Sequence, residues 1–307
     1  MNNYKILLYH GVTDYRSNGV ENYNCKHINF KKFEKQISYL KKNTNVISFN
    51  ELIFIYQNNL QIPKNTTLIT FDDGFKNNYE IAAPILDKYS LPAIFYITSG
   101  FIGKNIFFWV DHIENCINLS KNNFFYLLVN NKYYVINLKN KINKINSINL
   151  IKKLCKFSAI DTKDLIIKEL MFKTGIKDSK KKKFSNYKTM NQSEIKKLSD
   201  NSLFTIGGHT QTHNIMSYMS NKELHNEIYS SLRVLKKITL KDVIYYSYPE
   251  GQKEHFNKNV IKIMKSLGIL SSPTAIKGNN NLNTNLFYLK RFPVEIDGCI
   301  FPFNLKS

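Results

Sequence analysis

The chain has 307 residues, enough for one large domain or two small ones, and its 43% hydrophobic and 13% aromatic content excludes bulk disorder. Its net charge of +21, from 44 Lys and Arg against 23 Asp and Glu, fits an anionic partner or simply a lysine-rich surface. The lysines are scattered apart from Lys180-Lys181-Lys182-Lys183, and no zinc-finger or RNP-type motif accompanies them, so nucleic acid is not an expected partner, although such a surface could touch a membrane.

The N-terminus runs straight into the apolar stretch 4–9 (YKILLY), which is too short for the core of a signal peptide. No apolar run approaches the ~20 residues that span a bilayer, and the expected location is cytoplasmic. Residues 4–9 read as a buried strand. Residues 30–41 read as a helix, with Phe33, Ile37 and Leu40 on one face. Strands follow at 66–71 (TTLITF) and 93–98 (AIFYIT), with a helix at 81–89 between them. From about 103 to 187 the alternation breaks. This stretch is Lys-, Asn- and Ile-rich and mainly helical in pattern, apart from runs 124–129 and 133–138. Those two runs flank Asn130-Asn131-Lys132 as a hairpin. It reads as an insertion over the mouth of a barrel.

After the insertion, Asn191 and Glu194 form a capping box for a short helix. A strand at 203–206, a helix at 221–237 and strands at 243–248, 268–271 and 287–292 complete the pattern. Strand alternating with helix implies a mostly parallel α/β sheet. Seven strands suit a distorted (β/α)7-type barrel, and the whole chain reads as one domain carrying the 103–187 insertion. The cysteines Cys25, Cys116, Cys155 and Cys299 form no CxxC pair, which argues against a cysteine-built zinc site or a disulfide scaffold.

Three motifs sit at strand ends, where barrel active sites lie. Thr70-Phe71-Asp72-Asp73-Gly74 offers two adjacent carboxylates that can divide labour, one on a metal and one in proton transfer. His209-Thr210-Gln211-Thr212-His213, after Gly207-Gly208, has histidines at i and i+4. On a helical turn these would face one ion, with the glycines letting the chain swing from strand to turn. Tyr246-Ser247-Tyr248-Pro249-Glu250-Gly251 reads as an irregular loop that could aim a backbone N–H into a site. Two histidines and one aspartate leave a fourth position for water, as zinc hydrolases do.

TFDDG, HTQTH and YSYPEG in this order resemble the polysaccharide deacetylase (NodB-homology) family, carbohydrate esterase family 4. The likeness extends to LLYHGV, to residues 82–96 and to residues 289–294, covering about 4–101 and 187–296. The resemblance implies a NodB-like barrel and removal of N-acetyl groups from an amino sugar or glycan; the N-terminus, read as lacking an export signal, points to an intracellular precursor in surface polysaccharide biosynthesis. It implies a divalent metal, zinc first, on Asp73, His209 and His213, with Asp72 as general base and the Glu250 backbone N–H at the oxyanion. Tyr248 and Pro249 would contact substrate. The chain departs from the family in two places. The third motif lacks the arginine that orients the base, and Arg291 is the conjectured substitute. A late Leu-x-His is replaced by Leu289-Lys290-Arg291, so the general acid is unassigned; His10, ending the first strand, is the leading candidate for a catalytic polar group at the barrel mouth, with a histidine that only supports its neighbours as the equal alternative. Trp109, in FFWVDH, could stack on a sugar, although anchoring the insertion is the more economical reading. His27, His112, His225 and His255 read as surface or capping residues. Deformylation, O-acetyl hydrolysis, a silent glycan binder and a non-haem iron oxygenase remain as alternatives.

Overall fold

The computed structural model describes residues 2–104, 106–176 and 185–296; Cys299 and the Lys180–Lys183 run lie outside them. The chain forms two compact units, one of Met1–Asp14, Asn24–Lys104 and Lys188–Ser307, the other of Tyr15–Tyr23 and Asn105–Tyr187.

The first unit opens with β1 (Lys5–Tyr9), β2 (Gly11–Thr13), β3 (His27–Asn29), α1 (Phe30–Asn43), β4 (Asn45–Val46), α2 (Phe49–Gln57), β5 (Thr66–Phe71), α3 (Ala83–Lys88) and β6 (Ala93–Ile97). The second unit carries α4 (Trp109–Leu119), β7 (Phe124–Val129), β8 (Lys132–Asn137), α5 (Lys141–Lys156) and α6 (Ile160–Thr174). The chain then returns to the first unit for α7 (Gln192–Asp200), β9 (Phe204–Gly208), α8 (Asn221–Thr239), α9 (Lys258–Ser266) and β10 (Phe292–Pro293).

The main sheet runs β10-β1-β5-β6-β9, with β4 beside β5, and every pair is parallel. Its strands are apolar on both faces, as a sheet covered on both sides requires. Leu7, Ile69, Phe71 and Phe95 pack with Phe33, Ile37 and Leu40 of α1. Their alternates Ile6, Leu68, Ile94 and Tyr96 face a second cluster with Tyr245 and Leu289. Asn29 caps α1, and capping boxes at Ser48–Glu51, Asn191–Glu194 and Ser220–Glu223 start α2, α7 and α8.

The three expected late strands survive largely as isolated pairings. Gly208 pairs with Tyr246 and Tyr245 with Ser271. Backbone hydrogen bonds from Ser272 to Leu286, Thr274 to Leu289 and Arg291 to Ile276 then lead to the segment entering β10. Pro249, Pro273 and Pro293 have no N–H to donate, which keeps these ladders short. The helix expected at 81–89 also differs. A wide π turn over Asn78–Ala82 precedes α3 because Pro84, near its start, cannot donate back into the preceding turn.

In the second unit the hairpin turns on Asn130 (φ 49°) and Asn131 (φ 60°), both left-handed, the geometry a two-residue hairpin loop needs. Its inner face, Phe125, Leu127, Val129 and Ile136, packs with Trp109, Ile113 and Ile148. The segment Tyr15–Tyr23, not assigned to the insertion from sequence, belongs here. Val20 N–H donates to Asn118 Oδ1 (2.8 Å) and Asn22 N–H to Glu114 Oε1 (2.8 Å). Among the described residues the cysteines are free thiols, and no helix is long and apolar enough to cross a membrane.

Glu21 is buried in this unit, and burial, with Glu114 nearby, pushes its carboxyl up to about 7 despite the Asn186 amide that donates to it. A carboxyl whose pKa is raised on folding favours the folded state while protonated and opposes it once ionised. The second unit is therefore expected to lose stability as pH rises from about 5 to about 8. Protection factors of α4 amides, corrected for intrinsic base-catalysed exchange, should fall over that range, and Glu21→Gln should flatten the dependence. An unchanged slope in Glu21→Gln would assign the effect elsewhere.

Candidate active site

β5 delivers Asp72 and Asp73 at its carboxyl end. Asp72 N–H donates to Tyr9 O, while Asp73 (φ 77°) and Gly74 (φ 82°) turn left-handed, so the adjacent side chains diverge. Thr98 N–H to Asp73 O and Met190 N–H to Gly74 O hold the turn.

β9 delivers the histidines. Gly207 and Gly208 are not a hinge; they lie within β9, where a Cβ would come within 2.4 Å of the Tyr96 ring and 2.3 Å of the Tyr246 ring. Residues 209–213 are not a helical turn either. Thr210 (φ 63°) and His213 (φ 59°) are left-handed, costly for a β-branched threonine and held by the surroundings. Thr210 N–H donates to Tyr246 Oη (2.9 Å), and Thr210 Oγ1 accepts from His213 N–H (2.9 Å). Glu227 Oε1 collects Gln211 N–H, Thr212 N–H and the Thr212 hydroxyl at 2.9, 2.6 and 2.7 Å.

Asp73 Oδ1 lies 3.5 Å from His209 Nε2 and 3.2 Å from His213 Nε2. The ligand atoms of the three buried residues lie within 4.8 Å of one another, the one such cluster of His, Cys, Asp or Glu among the described residues. His209 Nδ1 sits 2.9 Å from Ser247 O. A carbonyl only accepts, so Nδ1 carries the proton and Nε2 turns inward. Asp73 Oδ1 takes no well-formed hydrogen bond although both rings approach it. Two nitrogen donors converging on one carboxylate oxygen fit a divalent cation. The charges agree. Burial alone would raise the Asp73 carboxyl, but the two histidines hold it well below the usual range. Burial opposes a charged His209, yet Asp72 and Asp73 raise its pKa.

Asp72 occupies a different environment. Arg291, fully buried, grips both its oxygens, Nη1 to Oδ1 at 2.8 Å and Nη2 to Oδ2 at 2.7 Å. Ser247 Oγ donates to Oδ2 (3.1 Å) and accepts from Arg291 Nη2 (3.1 Å). Arg291 also reaches Thr274 O and Thr70 Oγ1 and lies over the Tyr96 ring. Burial would raise the Asp72 carboxyl; Arg291, then His209, bring it below its ordinary value.

His10, following β1, is half-buried, and its Nδ1 has no hydrogen-bond partner. Burial lowers its pKa against the pull of Asp73 and Asp72. Glu250 (φ 61°) and Gly251 (φ 58°) form a tight left-handed loop in which Gly251 N–H returns to Pro249 O at 2.7 Å. Pro249 is buried. The Tyr248 ring is in the core, stacked on Phe256, with its hydroxyl donated to Phe287 O. Trp109 lies in the core of the second unit.

His27 is not a surface residue. It is 2% exposed, edge-on to Phe75 and 3.0 Å from the Asn77 amide; a Cβ on Gly11 would sit 1.8 Å from its Nδ1. His255 is also buried, but there it caps, accepting from Gln252 N–H. Ser247, Glu227 and Thr70 were not singled out from sequence. Ser247 could have been, since strand alternation puts it opposite Tyr246 and Tyr248. Glu227 lies mid-helix with no local signal.

The polysaccharide deacetylase family model matches residues 60–138 and 163–271, more than half of the chain. The chain belongs to the polysaccharide deacetylase family. The match takes in Asp72, Asp73, His209, His213 and Glu250 and part of the second unit, and leaves His10 and Arg291 outside. A poly-β-1,6-N-acetyl-D-glucosamine N-deacetylase of Staphylococcus aureus is 33% identical over 99 residues, about a third of each chain (32% of this one, 33% of the other). The Streptococcus pyogenes deacetylase PplD shares the fold at TM-score 0.62 and 17% identity, covering 97% of this chain and 94% of that one. IcaB from Ammonifex degensii does so at TM-score 0.60 and 15% identity, covering 99% and 94%. The fold class read from sequence, a distorted NodB-like α/β barrel, is thus the one these deacetylases share.

Proposed function

We propose that this chain is a metal-dependent hydrolase that removes N-acetyl groups from an amino-sugar polymer, serving surface polysaccharide biosynthesis. The observation that carries this reading is the convergence of Asp73, His209 and His213 beside a second buried carboxylate, Asp72, held by Arg291. The three ligands would hold a divalent ion, zinc first, which when bound supplies an acidified water and polarises the acetamide carbonyl. Asp72 takes the water's proton, and Arg291 and Ser247 fix its orientation for that transfer. The Glu250 N–H donates to the carbonyl oxygen as charge builds there. The proton that Asp72 takes from the water is the one the leaving amine needs, and His10, neutral in the free site because burial lowers its pKa, relays it there. The Staphylococcus relative supports a β-1,6-linked N-acetylglucosamine polymer as the substrate class.

The test couples metal analysis to acetate release. Zinc-loaded wild-type chain should bind metal stoichiometrically and release acetate from β-1,6-linked N-acetylglucosamine oligomers. Asp73→Ala should lose both. Full metal retention in Asp73→Ala would overturn the ligand set, and metal-loaded wild type that frees no acetate from any N-acetylated glycan would overturn the activity.

A further inference from the structure

The second unit turns apolar side chains outward. β7 alternates strictly. Phe125, Leu127 and Val129 are buried, while Phe124, Tyr126 and Leu128 are exposed. The register sets Tyr126 opposite Val135 and Leu128 opposite Tyr133, both also exposed, Tyr133 at 69%. Five apolar or aromatic side chains thus share the outer face of a two-stranded sheet, where water-facing residues are ordinarily polar.

Exposed apolar side chains recur on α6, which borders β7. Leu165, Glu169 and Phe172 fall at i, i+4 and i+7, one stripe of the helix. Glu169 Oε1 accepts from the Leu128 backbone N–H, which places Glu169 at the edge of β7. Phe172, at 82%, and Leu165 are exposed on either side of it. Lysines surround the patch in sequence and are exposed: Lys121, Lys132, Lys168 and Lys173. Of the carboxylates of this unit, Glu21, Asp111 and Glu114 are buried, whereas Asp161 and Asp164 of α6 are exposed and offset part of this charge, leaving the lysines in excess.

We infer that this face docks on an anionic lipid surface, with the aromatic and aliphatic side chains entering the headgroup region and the lysines meeting lipid phosphates. Aromatic residues ringed by lysine are the chemistry that binds such interfaces. A glycan strand fits less well. Phe124 and Tyr126, and Tyr126 and Tyr133, meet edge-to-face at 87°, so no flat aromatic platform is offered to sugar rings. Leu128, Val135, Leu165 and Phe172 bring no hydrogen-bonding groups. A second copy of this chain would bring the same lysines, and like charges would oppose the pairing.

The test uses the full chain in sedimentation with phosphatidylcholine vesicles, with and without phosphatidylglycerol. Binding should require phosphatidylglycerol and weaken in high salt. Tyr126→Ser with Tyr133→Ser, both exposed and outside the core, should weaken binding at least about tenfold. Charge reversal by Lys168→Glu with Lys173→Glu should do the same. Phe54→Ser, an equally exposed aromatic of the first unit, should bind as wild type, and matching thermal unfolding of all variants excludes misfolding. Failure to bind phosphatidylglycerol vesicles, equal binding to neutral vesicles, or full binding by the double tyrosine variant would overturn the inference. So would a finding that the tyrosine variant loses self-association or glycan-oligomer binding while keeping vesicle binding.

Discussion

Asp72→Asn is expected to keep its metal and lose about 10²–10⁴ in kcat, the usual contribution of a positioned general base. Asparagine is nearly isosteric and its oxygen can still accept from Arg291, but it cannot take a proton from water. The ligand trio is untouched, because Asp73 points away from Asp72 through its own left-handed turn. KM should change little, since no substrate contact is removed. Metal content, circular dichroism and acetate-release kinetics on one preparation separate the outcomes. Turnover near wild type would show that another group takes the proton. Loss of metal would show that the two carboxylates are not as independent as their separate partners imply.

The division of labour between these carboxylates was half legible. An Asp-Asp-Gly sequence after a buried strand announces two acids at a strand end, and the strand itself, Thr66–Phe71, was readable to the residue from its apolar run. What distinguishes the two acids is long-range. Arg291 lies 219 residues from Asp72 in sequence and reaches it because β10 pairs with β1 and β1 with β5. Its order in the sheet, not any local motif, supplies the arginine that the third motif lacks. The HTQTH stretch shows the opposite failure. The spacing suggested a helical turn, but the conformation is dictated by Glu227 and Tyr246, which satisfy its backbone from neighbouring elements. Likewise Gly207 and Gly208 looked like a hinge and are instead flat places on a strand against which two tyrosine rings pack. Local periodicity reveals where a strand ends; it carries little information about which distant side chain meets it there.

Arg291→Met is expected to destabilise the chain by about 3–5 kcal/mol, the scale for removing one partner of a buried ion pair. Asp72 would then stay buried with only the Ser247 hydroxyl and nearby histidines to favour its charge, and burial, now less opposed, would push its carboxyl upward. The sign with pH follows. The folded-state pKa of Asp72 is depressed in the wild type, so its contribution is present above the unfolded carboxyl pKa and fades as pH falls through it. In Arg291→Met the charged form is the problem, so the stability gap to wild type should narrow under acid. Denaturant unfolding at neutral and acid pH measures this directly. The double variant Asp72→Asn with Arg291→Met removes both charges and should be more stable than Arg291→Met alone, a coupling that a merely space-filling arginine would not show. Arg291→Lys separates charge from geometry. An ammonium restores charge but not the two-pronged grip, so stability should recover further than turnover does. Equal recovery of both would mean that Arg291 acts on Asp72 through charge alone and does not orient the base.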